Sequence, residues 1–263
     1  MMKHRIVVAG MPQAGTTMLY NVVNFILRLN GINVVNALYH PTEYYKKVVN
    51  EDYLRRFRQN TPQVLATAGV QPAVLLIKEH HHAPFLSEWA ELIFVMKRDI
   101  RHSISSRRRR GRPLLSKGKH IYSVPNPLDP GGYLTYRKYN PDTFDGFKRW
   151  CEYLVDDCCE DWLKDTSGPQ AHLVDYEEYR ADPEAFVESV FNEMVPHYDG
   201  LKLDVPKISH TLNTLGEHDK NITFFSKDKI TNQQNLGGPE KHLSTKEIEH
   251  IDKNYKNWIK EEK

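Results

Sequence analysis

Residues 7–17 of this 263-residue chain read VVAGMPQAGTT, and this stretch decides the fold. Apolar residues from Ile6 to Val8 predict a buried strand, and Pro12 and Gly15 predict a tight turn after it. The apolar residues that follow recur at helical spacing: Met18, Val22, Phe25, Ile26 and Leu29. A strand that leads into a helix through such a loop directs unpaired backbone N–H groups and the positive end of the helix dipole at one point. The stretch therefore predicts an anion-binding loop.

The residues of this loop limit the kind of anion. A nucleoside triphosphate loop has a Lys directly before its Ser or Thr, whereas this chain has Gly15, Thr16 and Thr17. The order Pro-Gln-Ala-Gly-Thr-Thr resembles instead the Pro-Lys-Ser/Cys-Gly-Thr-Thr loop of sulfotransferases. In that family the loop holds the 5′-phosphosulfate of 3′-phosphoadenosine 5′-phosphosulfate (PAPS). The resemblance implies the same role for five residues here: Gln13, Ala14, Gly15, Thr16 and Thr17. Taken alone, the segment also fits an ordinary strand-turn-helix of an α/β domain.

A second apolar run, residues 73–77, is followed by Lys78 and His80. Open parallel sheets bind their ligands at the carboxyl ends of the strands, where both side chains are expected. The pair resembles the Lys-x-His signature of sulfotransferases. It implies His80 as the general base on an acceptor hydroxyl and Lys78 as an electrophile near the sulfuryl group; His also titrates close to neutrality. His81 and His82 blur the assignment, since three consecutive His also fit a polar loop or an adventitious metal site.

A third apolar run, residues 92–97, leads into Arg98, and Ser106 follows eight residues later. This is the most specific match in the chain, because it resembles the sulfotransferase segment that binds the 3′-phosphate of PAPS. An Arg fork meets two phosphate oxygens at once, and a Ser on the next helix donates a further bond. Arg98 beside Asp99 would, in isolation, be interpreted as a structural ion pair.

A fourth segment, residues 172–179, resembles a family strand whose following Tyr lies near the nucleotide, which here is Tyr176. Asp182 as a helix cap and Pro183 at a first helical position explain the next residues without function.

The resemblance weakens at two places. Gln13 stands where the family has Lys, near the oxygen that bridges phosphate and sulfate. A Gln donates a hydrogen bond there but neutralises no charge, a loss on the order of a few kcal/mol of transition-state stabilisation. Near the C-terminus the Arg-Lys pair and the Trp of the family are absent, and only a Gly-rich turn near Asn235 and a His-Leu-Ser at residues 242–244 remain. Ser244 with Glu247 also fits a helix capping box.

Composition predicts one soluble intracellular domain spanning residues 1–263. The chain is 40% hydrophobic, enough for a substantial core, and no apolar run approaches the roughly 18 residues of a membrane span. Three Cys cannot all pair, so a disulfide framework is not expected. We therefore expect a cytoplasmic protein without signal peptide or membrane anchor.

Two features leave alternatives open. Residues 107–112 carry five Arg, which fit a solvated helix end, an anionic acceptor or a phosphate contact; nucleic-acid binding is disfavoured because the cluster is short and lacks interleaved aromatics. The periodic signal vanishes over about residues 111–142, a length typical of functional or disordered loops. By analogy with the family, it predicts an acceptor-binding loop with Tyr122, Tyr133 and Tyr136 as contacts; a homodimer surface is the other interpretation.

Strands near residues 4–9, 73–78, 92–97 and 171–175, separated by helices, predict a three-layer α/β fold. Its central sheet is mostly parallel, with helices on both faces and a P-loop-like nucleotide site. The resemblance implies a PAPS-dependent sulfotransferase that transfers a sulfuryl group to a hydroxyl or amine of a small-molecule or sugar acceptor. The expected reaction releases adenosine 3′,5′-bisphosphate and requires no metal. A P-loop kinase and a catalytically weakened nucleotide-binding protein are the alternatives.

Overall fold

The computed structural model describes residues 5–37, 73–80, 82, 84–109, 123–125, 133–135, 143–213 and 241–260, and the elements below are numbered over these residues. The strands are β1 (Arg5–Gly10), β2 (Asn33–Ala37), β3 (Ala73–Lys78), β4 (Leu92–Lys97), β5 (Ser123–Pro125), β6 (Tyr133–Thr135) and β7 (Ala171–Asp175). The helices are α1 (Thr16–Leu29), α2 (Pro84–Trp89), α3 (Ile100–Arg109), α4 (Phe144–Val155), α5 (Asp161–Lys164), α6 (Tyr176–Ala181), α7 (Pro183–Met194), α8 (Val205–Asn213) and α9 (Thr245–Asn254).

Five strands form a parallel sheet in the order β2-β3-β1-β4-β7. The first strand of the chain is therefore central, with β3 and β4 hydrogen-bonded on its two sides. All five carboxyl ends point to the same edge of the sheet, so the loops that leave β1, β3, β4 and β7 start close together.

Consecutive residues of the central strands are buried, from Ile6 to Gly10 in β1 and from Leu92 to Met96 in β4. Side chains alternate between the two faces of a strand, so burial without alternation means that both faces are covered. Helix α1 packs on β1 and β3 and against α7 and α8. A π-helical turn at Asp156–Glu160, between α4 and α5, packs on β1 and β4, while α9 packs on α3 and α4.

The predicted three-layer α/β fold is confirmed, and so are its four predicted strands, with small shifts at the ends of β1. Strand β2 was not predicted. Its residues 33–37, NVVNA, offer only two adjacent apolar residues between asparagines, and it lies at the sheet edge beside β3. Such a short run is not distinguishable from a loop by periodicity alone.

The helical stretch from Phe144 to Lys164 is interrupted by the π-helical turn. Thr143 caps its start, since the Thr143 side chain accepts a hydrogen bond from the Gly146 N–H. The predicted caps at Asp182 and at Ser244 with Glu247 are also confirmed. No sequence pattern signals a wide turn inside an otherwise regular amphipathic helix.

The segment near residues 111–142 is not without secondary structure, because β5 and β6 pair antiparallel within it. Tyr133 begins β6, whereas Tyr122 and Tyr136 lie outside the described residues. Asn235 also lies outside them. Among the helices that the structure describes, none is both long and apolar enough to span a membrane.

Candidate active site

The loop between β1 and α1 is held by neighbouring elements rather than by its own sequence alone. The Met11 N–H donates to the Met96 carbonyl at 3.3 Å, and the Ser103 hydroxyl of α3 donates to the Pro12 carbonyl at 2.6 Å. Within the loop, the Thr16 hydroxyl donates to the Met11 carbonyl at 3.2 Å. The loop is thus fixed on β4 and α3 before any ligand is bound.

No described residue accepts a hydrogen bond from the backbone N–H groups of Gln13, Gly15, Thr16 or Thr17. Thr16 and Thr17 open α1, whose first N–H groups have no acceptor within the helix. A helix N-terminus with such donors is a favourable position for an anion, and the anion-binding role stays a prediction.

Gln13 has a backbone conformation that non-glycine residues rarely adopt, with φ of 69°. The Arg98 side chain stabilises it, because its Nη1 donates to the Gln13 carbonyl at 2.8 Å. A strained backbone conformation that is held by a side chain from another element is typical of functional loops. Arg98 therefore contacts the loop from a distance of 85 residues along the chain.

Gly15 lies against the ring of Tyr176, and its φ is 86°. A Cβ at this position would stand 2.3 Å from Tyr176 Cδ2, well inside contact distance. Only glycine allows both the left-handed backbone and this approach. Tyr176, which begins α6 after its cap Asp175, is buried as a wall of the loop.

Arg98 is a buried cation, 5% exposed, between the loop and α6. Its guanidinium lies over the Tyr176 ring at 4.6 Å from the centroid, and its Nε lies 3.6 Å from Glu177 Oε1. Burial lowers the pKa of Arg98, while Tyr176 and Glu177 oppose that shift. Burial disfavours the ionised form of Glu177, but His102 and Arg98 hold the pKa of Glu177 below its usual range. The cluster thus keeps a charged fork beside the anion loop.

Arg98 Nε is a buried donor without a hydrogen-bond partner among the described residues. A buried guanidinium N–H without an acceptor is costly, and an incoming phosphate or sulfate oxygen would relieve that cost. This atom and the backbone donors of the loop are of the kind that bind oxyanions.

Ser106 lies on α3, three residues beyond Ser103 and on the same helical face. Because Ser103 touches the loop at Pro12, this face points toward the anion site, and Ser106 is buried there. No hydrogen bond joins Ser106 to Arg98 within the described residues. The structure therefore places Ser106 on the face of α3 that meets the loop.

Lys78 and His80 lie at the carboxyl end of β3, next to β1. His80 Nδ1 lies 2.7 Å from the Gly10 carbonyl, and its backbone N–H donates to Glu79 Oε1 at 2.7 Å. A carbonyl can only accept, so His80 Nδ1 carries a proton. When the ring is neutral, its basic nitrogen is therefore Nε2.

A cavity of about 800 Å³ lies beside the pair of Arg98 and Glu177, at the ends of β4 and β7. Arg98, His102 and Asp175 line it together with the C-terminal residues 257–260. The Lys260 N–H donates to Asp99 Oδ2 at 3.0 Å, so the C-terminal segment is tied to the start of α3. The described loop residues from Met11 to Thr17 do not line this cavity.

Of the five Arg at residues 107–112, the structure describes the side chain of Arg108 alone. Its two Nη atoms lie 2.9 and 2.7 Å from the Glu247 carboxylate, and Nη1 also donates to the His242 carbonyl. Arg108 therefore fastens α3 to the start of α9. For this residue the ion pair replaces both the solvated helix end and the anion contact considered from the sequence.

Two residues contribute to the site without having been predicted from the sequence, Ser103 and Glu177. Ser103 shares a helical face with Ser106, and that spacing is the signal which could have found it. Glu177 follows Tyr176 directly, but a carboxylate beside a predicted anion site offers no local signal for binding an Arg.

The π-helical turn lies directly beneath the site. Cys159 Sγ lies 3.9 Å from the Met96 carbonyl, which also accepts from the Met11 N–H, and burial raises the Cys159 thiol pKa. Burial raises the pKa of Asp157 to about 6, and the nearby carboxylates Asp161 and Asp156 add to the shift. The turn thus carries a carboxyl group, that of Asp157, which binds its proton more tightly in the folded protein than in the unfolded chain.

Asp157→Asn is expected to stabilise the protein, and only at higher pH. A folded pKa above the unfolded value of 3.8 means that folded Asp157 binds its proton more tightly, so stability falls as pH rises from about 4 to about 6. Thermal unfolding should show a higher Tm for Asp157→Asn than for wild type at pH 7 and equal Tm values below pH 4. Exposed Asp145, whose pKa Lys148 lowers, provides the control, because Asp145→Asn should not raise Tm at pH 7. A Tm gain for Asp157→Asn that does not depend on pH would contradict the assignment.

The parallel five-stranded sheet, its flanking helices and the loop after β1 define an α/β protein with a sulfotransferase-like fold. The crystal structure of mouse sulfotransferase SULT7A1 complexed with PAP is similar to this chain, with a TM-score of 0.53 over 98% of this chain and 85% of that one. The two sequences are 12% identical, so the likeness concerns the fold. No family model and no curated protein matches the chain.

Proposed function

We propose that this protein is a PAPS-dependent sulfotransferase that acts on a hydroxyl or amine of a small-molecule or carbohydrate acceptor. The observation that carries the proposal is the convergence at one sheet edge of an anion loop with open N–H donors, the buried fork of Arg98 and the base-competent ring of His80. The solved structure of similar fold holds PAP, the adenosine 3′,5′-bisphosphate that such a transfer releases.

His80 is the proposed general base. Its Nδ1–H is held by the Gly10 carbonyl, so Nε2 takes the proton of the acceptor O–H or N–H as that atom forms its bond to sulfur. The S–O bond to the nucleotide phosphate breaks on the opposite side, and its electron pair stays on adenosine 3′,5′-bisphosphate. Lys78, at the end of the same strand, stabilises the sulfuryl oxygens.

The loop and Arg98 bind the nucleotide. The backbone donors of residues 13–17 and the α1 dipole hold the 5′-phosphosulfate, and Arg98 with Ser106 binds the 3′-phosphate beside Tyr176. Gln13 donates to the bridging oxygen without neutralising it. Because Gln13 supplies no positive charge, the second candidate function is that of a protein that binds the bisphosphate but turns PAPS over slowly or not at all.

Calorimetry with adenosine 3′,5′-bisphosphate, AMP and ATP–Mg²⁺ tests the proposal. We expect the bisphosphate to bind at least about 10-fold more tightly than AMP, because a fork-to-phosphate contact is worth roughly 1.5–3 kcal/mol. Ser106→Ala should narrow that preference. Equal binding of AMP, or preference for ATP–Mg²⁺, would return the chain to the kinase alternative.

A transfer assay with radiolabelled PAPS and a panel of phenols, alcohols, amines and sugars then separates the two candidates. Bisphosphate preference with sulfated product supports the transferase. Bisphosphate preference with intact PAPS across the panel supports the binding protein.

A further inference from the structure

His82 lies two residues beyond His80, at the start of the connection to α2, and makes a dense set of contacts. Its Nε2 lies 2.6 Å from Asp165 Oδ2, and its backbone N–H donates to the Asp157 carbonyl at 2.8 Å. The ring meets Trp162 edge to face, with centroids 5.2 Å apart. Its partners span residues 157–165, the π-helical turn and the helix after it.

The charge of Asp165 decides which side chain donates in the hydrogen bond between His82 and Asp165. Burial disfavours ionised Asp165, but hydrogen bonds from Ser167, His82 and Ser87 hold the Asp165 pKa well below its usual range. The carboxylate is therefore ionised and can only accept, so His82 Nε2 must donate. Both side chains are largely buried, at 15% and 12% exposure, where a charge-assisted bond is stronger than at the surface.

Ser87 also lies near this pair, which raises the question of a hydrolytic triad. Its Oγ is 3.3 Å from His82 Nε2, the same nitrogen that donates to Asp165. A triad needs the carboxylate and the hydroxyl on opposite ring nitrogens, so that the ring passes a proton between them. The cluster therefore does not activate Ser87, and it has the form of a structural clamp.

The clamp acts on the segment that carries the proposed base. His80 is held on one side by the Gly10 carbonyl at the end of β1, and two residues further His82 is held by Asp157 and Asp165. The π-helical turn that supplies Asp157 also contacts the strand that supports the anion loop, because Cys159 Sγ lies 3.9 Å from the Met96 carbonyl of β4. One element thus contacts both the base segment and the support of the anion loop.

We infer that His82, through its bond to Asp165, is a positioning residue that sets the placement of the His80 ring. This inference rests on the proposed function for its kinetic consequence, but its structural consequence is independent of catalysis. His82 itself touches no substrate in this assignment. It resolves the His80-His81-His82 run as one base and one positioning residue, with His81 outside the described residues.

Amide substitutions at His82 give a sharp test, because Gln and His place a nitrogen the same number of bonds from Cβ. His82→Gln can present its Nε2–H to Asp165, whereas His82→Asn reaches only the position of the ring Nδ1. We expect kcat for sulfuryl transfer to fall by on the order of 10- to 100-fold in His82→Ala and His82→Asn, and by less than about 3-fold in His82→Gln. The Kd for adenosine 3′,5′-bisphosphate should change less than about 2-fold in all three, since no residue of the loop is altered.

The His80 ring is observed directly by ¹⁵N NMR of the histidine-labelled protein, with His80→Asn used to assign its signals. We expect the His80 ring shifts to move in His82→Ala and His82→Asn and to return toward wild type in His82→Gln. His172→Ala is the matched control, because His172 Nδ1 pairs with Glu193 Oε2 at 2.8 Å on the edge strand β7. That variant should leave kcat and the His80 signals unchanged.

Asp165→Asn covers the case in which His82→Ala fails to fold. Its Oδ1 can still accept the Ser167 N–H, but the charge that holds His82 is gone, so the His80 signals should move in the same direction. Unchanged His80 signals in His82→Ala or Asp165→Asn, or a His82→Gln protein as impaired as His82→Ala, would overturn the inference. If the wild-type protein transfers no sulfuryl group, the proposed function fails, and the NMR comparison alone decides the role of His82.

Discussion

Replacing His80 with Asn is expected to lower kcat for sulfuryl transfer by on the order of 10²- to 10⁴-fold, the usual contribution of a general base. Asn is the informative substitute because its Nδ2–H can replace the ring Nδ1–H in the bond to the Gly10 carbonyl. The variant therefore keeps the contact between β3 and β1 and loses only the basic nitrogen at Nε2. Transfer of labelled sulfate from PAPS is the measurement.

The binding of adenosine 3′,5′-bisphosphate to His80→Asn should stay within about 2-fold of wild type, because Arg98 and the loop are unaltered. His172→Asn, at a half-buried His on β7, is the matched substitution and should leave kcat unchanged. If His80→Asn retains activity within about 3-fold of wild type, His80 is not the base. A loss of bisphosphate binding would instead assign His80 to the integrity of the loop.

The second large effect is expected at Gly15, where alanine faces two penalties. The left-handed backbone alone costs roughly 1–2 kcal/mol for a residue with a Cβ, and the added Cβ would stand 2.3 Å from the Tyr176 ring. Either Tyr176 or the loop must move. Because Arg98 stacks on Tyr176 and donates to Gln13, we expect such a shift to disturb both of these contacts.

Gly31→Ala separates the steric effect from the backbone strain. Gly31 has φ of 73°, but a Cβ there would meet nothing within 4 Å. Urea unfolding should show Gly15→Ala to be destabilised by at least twice the loss in Gly31→Ala. Calorimetry should show that Gly15→Ala binds adenosine 3′,5′-bisphosphate more weakly by at least about 100-fold, with Gly31→Ala unchanged. Equal behaviour of the two variants would mean that contact between the loop and Tyr176 is not needed for the anion site.

The elements that sequence reasoning found share a local signal. The runs at residues 73–77 and 92–96 are continuous and apolar, and the loop at residues 10–15 combines small residues with a turn before a periodic helix. Caps at Asp182 and Ser244 were equally readable, because a cap is a contact between residues two or three positions apart. Strand β2 lacks any such signal, since two valines at a sheet edge depend on the pairing with β3.

The hydrogen-bond and stacking partners of the site side chains could not be predicted from the sequence. Arg98 was found as a cation at a strand end, but its bond to the Gln13 carbonyl and its stacking on Tyr176 join residues about 80 positions apart. His82 reaches Asp165 over 83 positions. Nothing in the residues near His82 distinguishes it from His80 as a base, and only these contacts assign the two different environments.

The sequence by itself determined the α/β class, the central strands and the loop that opens toward an anion, because periodicity and turn chemistry act between near neighbours. Tertiary structure alone decided how the site is held: which ring nitrogen of His80 carries its proton, why Gln13 keeps a left-handed backbone, and what fixes His82. Each of these depends on a donor and an acceptor from segments far apart in the chain meeting within about 3 Å, an arrangement that the fold creates and that no local pattern encodes.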